Sequence, residues 1–507
     1  MSTAPPAPHA VDLLDAAAAD APGAVFLRGA RTMTFAEVAH ASQRVAAWLD
    51  ARGVTAGDRL VIAAANHPDA IVTALGAARL GVTFVFVHDA IRPAGFARIL
   101  EQVEPACVLL DDATARLRPA VGDVPVLACD TDRLDGATPT ASLVAPAAAA
   151  GGLENTRVDP LCLVYTSGST GVPRGVMVSH ANVAFSAAAI QERLRYRSDD
   201  TIGLFLPLSF DYGLYQVFLA LAARATLYVG ALEGLAFRLL GALEREKITV
   251  LPGIPSLFSA LVGMIARGAR PPARLRAVTN TGERLAPETV ERLRAELPGL
   301  EVFLMYGLTE CKRVSILLPE ELAARPVSVG RALRGTTAEV MLPDGSTAPD
   351  GVPGELVVQG PHLTLGYWRA PMETARRFRT APDGTRTLFT GDTCRRDRDG
   401  FLYFEGRGDA QVKRHGFRMS LREIESAALG VPGVVAAAAV ALSEDDLHLF
   451  VTRTGSGLTP EALLRVLREQ LEPYKVPDRV HVVQSLPTTP HGKLDRARLS
   501  MTAEHVA

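Results

Sequence analysis

Cysteine is scarce and unpatterned in this chain: Cys107, Cys129, Cys162, Cys311 and Cys394 are scattered through 507 residues, with no CxxC pair and no His/Cys cluster. An odd, scattered set excludes a disulfide framework and a zinc site, and is expected to be a set of reduced thiols. An excess of charge of either sign is also missing. Lys+Arg number 53 and Asp+Glu 55, a formal charge of -2, which argues against a nucleic-acid partner, since such binders carry a basic excess. No uninterrupted apolar run approaches the ~18 residues of a membrane span. The longest, Val434 to Leu442, is rich in alanine and reads as a buried strand. The first ten residues, MSTAPPAPHA, have neither a basic region nor an apolar one, so a frayed leader is expected and not a signal peptide. These absences lead us to expect a soluble cytoplasmic protein with no membrane or nucleic-acid partner.

What is present is ample apolar material, 48% of the residues, in a chain too long for one ordinary core, so two or more domains are expected. The apolar run Leu161-Cys162-Leu163-Val164-Tyr165 reads as a short buried strand. It feeds directly into Thr166-Ser167-Gly168-Ser169-Thr170-Gly171-Val172-Pro173-Arg174-Gly175. Glycines let successive backbone N–H groups face one concavity, and such a nest binds anions. The hydroxyls add neutral donors and Arg174 adds charge. The segment is a candidate polyphosphate cradle, although the Gly-x4-Gly-Lys-Ser/Thr spacing of the Walker type does not fit.

The pattern around this loop is layered. Thr34 followed by Glu37 predicts a capped helix start. Leu60 to Ala65 predicts a strand and Pro68 to Leu80 a helix, and their alternation points to a parallel α/β layer. Ala145 to Gly152 reads as a low-complexity connector. A second α/β stretch runs from Thr201 to Leu318, and Val329 to Phe404 switches to short strands with Pro/Gly turns, a small β-barrel or β-rich subdomain. A compact α+β piece follows Gly406.

These motifs resemble, in order, those of the adenylate-forming superfamily: acyl-CoA synthetases, peptide-synthetase adenylation domains and luciferases. The loop from Thr166 to Gly175 resembles its phosphate loop. Tyr306-Gly307-Leu308-Thr309-Glu310 looks like its adenine and magnesium motif, and Thr390-Gly391-Asp392 its ribose motif. Gly406-Arg407-Gly408-Asp409-Ala410-Gln411-Val412-Lys413 looks like its hinge, and Pro490-His491-Gly492-Lys493-Leu494-Asp495 its C-terminal lysine motif. One departure is Arg174, where the family usually has lysine; the charge is kept, but a planar fork replaces a point donor. The resemblance implies an α/β fold: a large N-terminal domain, residues 1–406, of two α/β subdomains plus a small β-barrel. A small mobile α+β domain, residues 407–507, would follow, with its hinge near Asp409.

It also implies a reaction in two halves. A carboxylate attacks the α-phosphorus of ATP to give an acyl adenylate and pyrophosphate; a thiol then attacks the acyl carbon and releases AMP. Anion meets anion in the first half, so neutralising charge is the main task. By resemblance Glu310 binds Mg2+, a hard cation suited to carboxylate and phosphate oxygens. Thr309 donates to the α-phosphate, Tyr306 stacks on adenine beside Gly307, and Thr281, Gly282 and Glu283 form the opposite wall. Asp392 accepts from the ribose hydroxyls and Arg407 supports the same sugar. Ser167, Gly168, Ser169, Thr170 and Gly171 hold phosphate with Thr166 and Arg174. Lys493 contacts the carboxylate and α-phosphate, and Gly416 lines a pantetheine tunnel.

For the acid, amino-acid-activating members carry an aspartate after a phenylalanine, and Asp211 follows Phe210. A carboxylate in an apolar pocket needs a cationic partner, which a substrate ammonium supplies. The alternative is that Asp211 turns the local backbone. Asp211, Tyr212, Tyr215, Thr281, Met305 and Val314 are expected to face a small or cyclic acid. Glu310-Cys311-Lys312-Arg313 resembles prolyl–carrier ligases, which makes proline the first named substrate; Lys312 and Arg313 would otherwise meet a second substrate carboxylate or sit in a salt-bridged loop. The segment from Gln411 to Glu425 looks like peptide-synthetase adenylation domains. The expected acceptor is therefore the phosphopantetheine thiol of a separate carrier protein, with an acyl- or aryl-CoA ligase as the alternative, an amide synthetase as a third variant, and a non-catalytic nucleotide-binding homologue as the reading outside enzymes. If Lys493 acts at the reacting phosphate, Lys493→Ala suppresses adenylate formation by on the order of 100-fold or more while largely sparing thiolation of a preformed adenylate. Single-turnover assays of each half-reaction check this, and equal loss in both contradicts it.

Overall fold

A computed structural model describes residues 9–129, 134–143, 160–166, 174–230, 235–282, 285–407, 411–414, 417–443, 445–453, 457–487 and 496–506. The chain separates into two compact units, one of residues 1–89, 100–165 and 175–406, the other of residues 90–99, 166–174 and 407–507.

The first unit is built on two large sheets. Local sequence sets many of their elements. Thr34 caps the helix Phe35–Asp50 through a reciprocal box, its hydroxyl accepting from the Glu37 N–H at 3.2 Å while the Glu37 carboxylate accepts from the Thr34 N–H at 2.7 Å. The expected strand at 60–65 is Arg59–Ala63, and the expected helix at 68–80 is Pro68–Arg79, opened by its proline. Arg59–Ala63 pairs in parallel with Thr83–Val87 and Cys107–Leu110. Thr83–Val87 in turn pairs in parallel with β1 (Pro160–Thr166), the strand predicted before the glycine-rich loop. β2 (Arg174–Ser179) leaves that loop. These strands belong to an eight-stranded sheet. Every residue of Thr83–Val87 and Cys107–Leu110 is buried, as expected for parallel strands covered on both faces.

The second sheet has nine strands. Its middle is parallel: Thr226–Val229, Thr201–Leu204, Val250–Gly253, β3 (Ala277–Asn280) and β4 (Glu301–Tyr306). The helix α1 (Asp211–Ala223) connects Thr201–Leu204 to Thr226–Val229. β5 (Ser315–Leu317) then runs back antiparallel to β4, with Tyr306 opposite Ser315. The β-rich segment after it forms a five-stranded sheet: Thr337–Met341, Gly354–Gln359, β7 (Arg386–Arg396) and Phe378–Thr380 pair antiparallel, and Leu402–Arg407 pairs with β7. Between them, β6 (Gly366–Tyr367) joins the eight-stranded sheet by pairing antiparallel with β2, Tyr367 opposite Val176.

The second unit contains a three-stranded sheet, Val434–Ser443, Asp446–Arg453 and Arg479–Val482, with the helices Leu421–Leu429, Pro460–Gln470 and Arg496–Val506. The alanine-rich run at 434–442 is thus a strand, as its composition suggested. The five cysteines are all buried thiols; burial pushes the Cys107 thiol up to about 12. Among the described residues, no helix is long and apolar enough to cross a membrane, and no His/Cys/Asp/Glu group is arranged to hold a metal ion. The 145–152 connector lies outside the described residues.

One core histidine carries a pH signature. His362 is 1% exposed, stacks on Phe185 at 5.6 Å between ring centroids, and neither ring nitrogen has a hydrogen-bond partner among the described residues. Burial lowers its pKa to about 4. An unfolded-state histidine titrates near 6.5. The neutral ring therefore contributes its full stability above about pH 6.5, and that contribution is lost as pH falls toward 4, because the unfolded chain takes up the proton first. Replacing His362 with Phe should leave the melting temperature at pH 7 equal or higher and shrink its drop between pH 7 and pH 5. Thermal melts across that range test this, and an unchanged drop contradicts it.

Candidate active site

The carboxyl ends of the parallel strands in the nine-stranded sheet converge on one seat, the usual place for ligands in open α/β sheets. Three segments supply it: the first turns of α1, residues 279–282 at the end of β3, and the tight loop between β4 and β5.

That loop has little freedom. Val314 N–H donates to the Tyr306 carbonyl at 2.9 Å and Cys311 N–H to the Leu308 carbonyl at 3.1 Å. Lys312 is held at φ 58°, in the left-handed region that non-glycine residues seldom adopt. A Cβ on residue 307 would stand 1.9 Å from the Lys312 carbonyl oxygen, so only glycine closes the turn. The strained backbone aims Lys312 and Arg313 back across the sheet. A similar close approach governs the entry to α1, where a Cβ on Gly213 would lie 2.3 Å from the Pro207 carbonyl oxygen. The helix can therefore start at Asp211 directly beneath that turn.

The side chains so placed form a buried charged cluster. Lys312 Nζ lies 3.2 Å from Asp211 Oδ2 and 4.2 Å from the centre of the Tyr215 ring. Lys312 and Arg313 are each 3% exposed and Asp211 8%. The Arg313 guanidinium donates to the Thr281 hydroxyl and sits 5.5 Å from the centre of the Tyr212 ring. Tyr212 is itself pinned, its hydroxyl donating to the Thr279 carbonyl at 2.6 Å. Two donors at this end, Arg313 Nε and Asn280 Nδ2, are buried with no hydrogen-bond partner among the described residues. Burial drives the Lys312 pKa down to about 7, against the pull of Asp211, and lowers that of Arg313 as well. Burial likewise pushes the Tyr212 and Tyr215 phenols up, so both stay neutral. One carboxylate thus faces two cations, and an acidic group is the partner such a site accommodates.

Of the residues expected to face the acid, Asp211, Tyr212, Tyr215 and Thr281 are brought together here. Met305 packs in the same main apolar cluster as Tyr212 and Tyr215, and Val314 in a second one with Tyr306, Leu308 and Cys311. Asp211 meets a protein cation, Lys312, in the place expected for a substrate ammonium.

Two further polar groupings flank the cluster. Glu310 is 4% exposed, and the Tyr367 hydroxyl donates to its Oε1 at 2.8 Å, while the Thr364 N–H donates to its carbonyl at 3.0 Å. The Tyr306 hydroxyl donates to Asp392 Oδ2 at 2.5 Å. Burial, and then the Asp392 charge, hold the Tyr306 phenol well above its ordinary range. Asp392 lies on β7, where its own N–H donates to the Thr390 hydroxyl at 3.1 Å. Thr309 is half-buried, Gly282 adopts φ 96°, and Arg407 ends the strand Leu402–Arg407. Thr166 closes β1 and Arg174 opens β2. Ser167, Gly168, Ser169, Thr170, Gly171, Glu283, Asp409, Gly416 and Lys493 lie outside the described residues.

Sequence reasoning missed Tyr367. It sits in Leu365-Gly366-Tyr367-Trp368, far from any motif singled out, and its contact with Glu310 spans 57 residues. Its only local signal is a tyrosine following a glycine, which does not distinguish it from a core aromatic.

Comparison with known proteins places this geometry. Residues 14–368 match the model of the AMP-binding enzyme family, and residues 423–493 that of the AMP-binding enzyme C-terminal domain. The chain is 31% identical over 507 residues to syringomycin synthase SyrB1 of Pseudomonas syringae pv. syringae, covering 94% of this chain and 79% of that protein. It spans much less of some other curated relatives, 6%, 37% and 9% of three of them. Among solved structures, VinN in complex with L-aspartate is 34% identical with a TM-score of 0.70, covering 79% of this chain and 99% of that one. The amide bond synthetase McbA of Marinactinospora thermotolerans is 25% identical with a TM-score of 0.87, covering 98% of this chain and 99% of that one. The nearly full-length likeness, the two matched family models and the ordered motifs carried by these strands agree: the chain belongs to the AMP-binding enzyme family, the adenylate-forming enzymes.

Proposed function

We propose that the protein activates an amino acid bearing a second carboxylate, aspartate or a close analogue, as its aminoacyl adenylate, and transfers it to the phosphopantetheine thiol of a separate carrier protein. The carrying observation is the buried cluster of one carboxylate, Asp211, against two cations, Lys312 and Arg313. An ammonium suits Asp211, and a side-chain carboxylate suits Lys312 and Arg313. Proline, suggested by the likeness of residues 310–313 to prolyl–carrier ligases, brings no anion for the two cations, so an amino dicarboxylate replaces it here. The structure of VinN with L-aspartate supports the choice by relationship. A carrier protein as acceptor is favoured by the relatedness to peptide synthases.

One observation favours the other reading, an acyl- or aryl-CoA ligase. Asp211 already has a protein partner in Lys312 at 3.2 Å, so it can be structural. The two readings differ in which acids support the first half-reaction.

In the proposed mechanism the acid's reacting carboxylate attacks the α-phosphorus, and Thr309 donates to that phosphate. Asp392, already fixed by the Tyr306 hydroxyl, accepts from the ribose, and the Tyr306 ring flanks adenine. Lys493 enters to neutralise the developing charge. Glu310 fits a hard divalent cation: it is a buried carboxylate whose orientation is set by a neutral phenol donor. Mg2+ held there would offset the charge of the triphosphate and the leaving pyrophosphate. Tyr367 is a positioning residue in this scheme, acting through Glu310.

Pyrophosphate exchange should run with L-aspartate or a β-amino dicarboxylate well above L-proline, fatty acids and benzoate. Asp211→Asn should lower kcat/KM for the amino acid by on the order of 100-fold, the scale of a lost buried ion pair, and touch des-amino analogues much less. Exchange only with aryl or fatty acids would move the protein to the CoA-ligase reading. Tyr367→Phe should raise the Mg2+ needed for half-maximal exchange by roughly tenfold, the size of one hydrogen bond to a charged group. Calorimetry adds a readout besides activity: ATP binding should weaken in the Phe variant with Mg2+ present and stay unchanged with EDTA. Equal weakening in both conditions contradicts the positioning role.

A further inference from the structure

We propose that the Asp211–Lys312 ion pair is a selectivity filter: it makes the substrate's ammonium and its second carboxylate worth more together than the sum of each alone. The inference rests on the amino dicarboxylate reading above and deepens it.

Asp211 and Lys312 hold each other at 3.2 Å, both buried. An ammonium arriving at Asp211 competes with Lys312 for the same carboxylate. If the incoming molecule carries nothing else, Lys312 is left either as a buried ammonium without an anion or, its pKa already lowered by burial, as a neutral amine that has given up its proton; each state forfeits the pairing that Asp211 supplied. The Tyr215 ring face at 4.2 Å and the Tyr212 ring at 5.9 Å soften this only in part. Arg313 beside it adds repulsion, and it already uses Thr281 as a neutral acceptor. Lys312 has no easy retreat, because its backbone is locked in a left-handed turn against Gly307.

A diacid without an amine leaves the Asp211–Lys312 pair in place, and its second carboxylate meets Arg313, whose guanidinium donates to the neutral Thr281 hydroxyl. With an amine as well, the ammonium replaces Lys312 at Asp211 and the second carboxylate takes up Lys312 beside Arg313, so each group is worth more when the other is present. The filter therefore turns away amino acids that lack the second carboxylate by a repulsive element, not by size.

The consequence is measurable in the wild-type protein, without any mutation that could disturb folding. Dissociation constants are determined for L-aspartate, succinate, propionate, and L-alanine and β-alanine, the two alanines covering either choice of reacting carboxylate. Competition against pyrophosphate exchange gives the weak ones. The product of the aspartate and propionate affinities should exceed that of the alanine and succinate affinities by on the order of 30-fold, the scale of coupling between groups sharing one charged network. Affinities that multiply to within about twofold, as for independent sites, would overturn the filter while leaving the proposed function standing. Absence of exchange with any amino dicarboxylate would overturn both. As a second arm, Lys312→Met removes the cation that alanine must orphan, so the variant should bind the better of the two alanines more tightly than wild type even as it binds aspartate more weakly. Weaker alanine binding in a variant with an unchanged melting temperature contradicts the filter.

Discussion

Asp211 meets Lys312 where both are buried, and much of the local structure is arranged so that they can meet. Both lie in an apolar surround of tyrosine rings and core aliphatics, and removing a buried charge's partner costs far more than the pair is worth. The pair therefore acts less as glue than as a constraint. A cation arriving at Asp211 would have to replace Lys312 there. Burial lowers the Lys312 pKa even with Asp211 beside it.

The geometry of the pair depends on two backbone approaches that allow no side chain. Gly307 lets the β4–β5 loop fold back on the Lys312 carbonyl, and Gly213 lets α1 begin under Pro207. The first puts the cations on the seat, the second puts Asp211 there. The same loop carries Glu310 two residues before Lys312, so one strained turn serves both the acid seat and the expected metal carboxylate. Tyr367 then ties Glu310 to β6, and β6 pairs with β2, the strand that leaves the glycine-rich loop. Glu310 and the strand that leaves the glycine-rich loop are joined through one phenol. In the same way Tyr306, at the end of β4, holds Asp392 of β7.

Much of this was legible in the sequence, for local reasons. The Thr34–Glu37 box, the proline-opened helix at Pro68 and the buried strand before the glycine-rich loop are each specified within a few residues. The ordered motifs carried the family, and Asp211 was visible as a carboxylate needing a cation. That Lys312 supplies one was not visible. The two are 101 residues apart, and their meeting depends on a left-handed φ at a lysine, which propensity does not predict. The sequence left Lys312 and Arg313 divided between a second-carboxylate site and a salt-bridged loop; the structure buries both and pairs Lys312 with Asp211. Tyr367 was invisible for the same reason, since its role exists only through a contact across 57 residues.

The most direct test of the account is a crystal structure of the protein with L-aspartate and a non-hydrolysable ATP analogue. The account predicts that the amino group replaces Lys312 at Asp211, and that the second carboxylate is held by Lys312 and Arg313. A structure in which Lys312 remains on Asp211 and the aspartate amino group points elsewhere would contradict it.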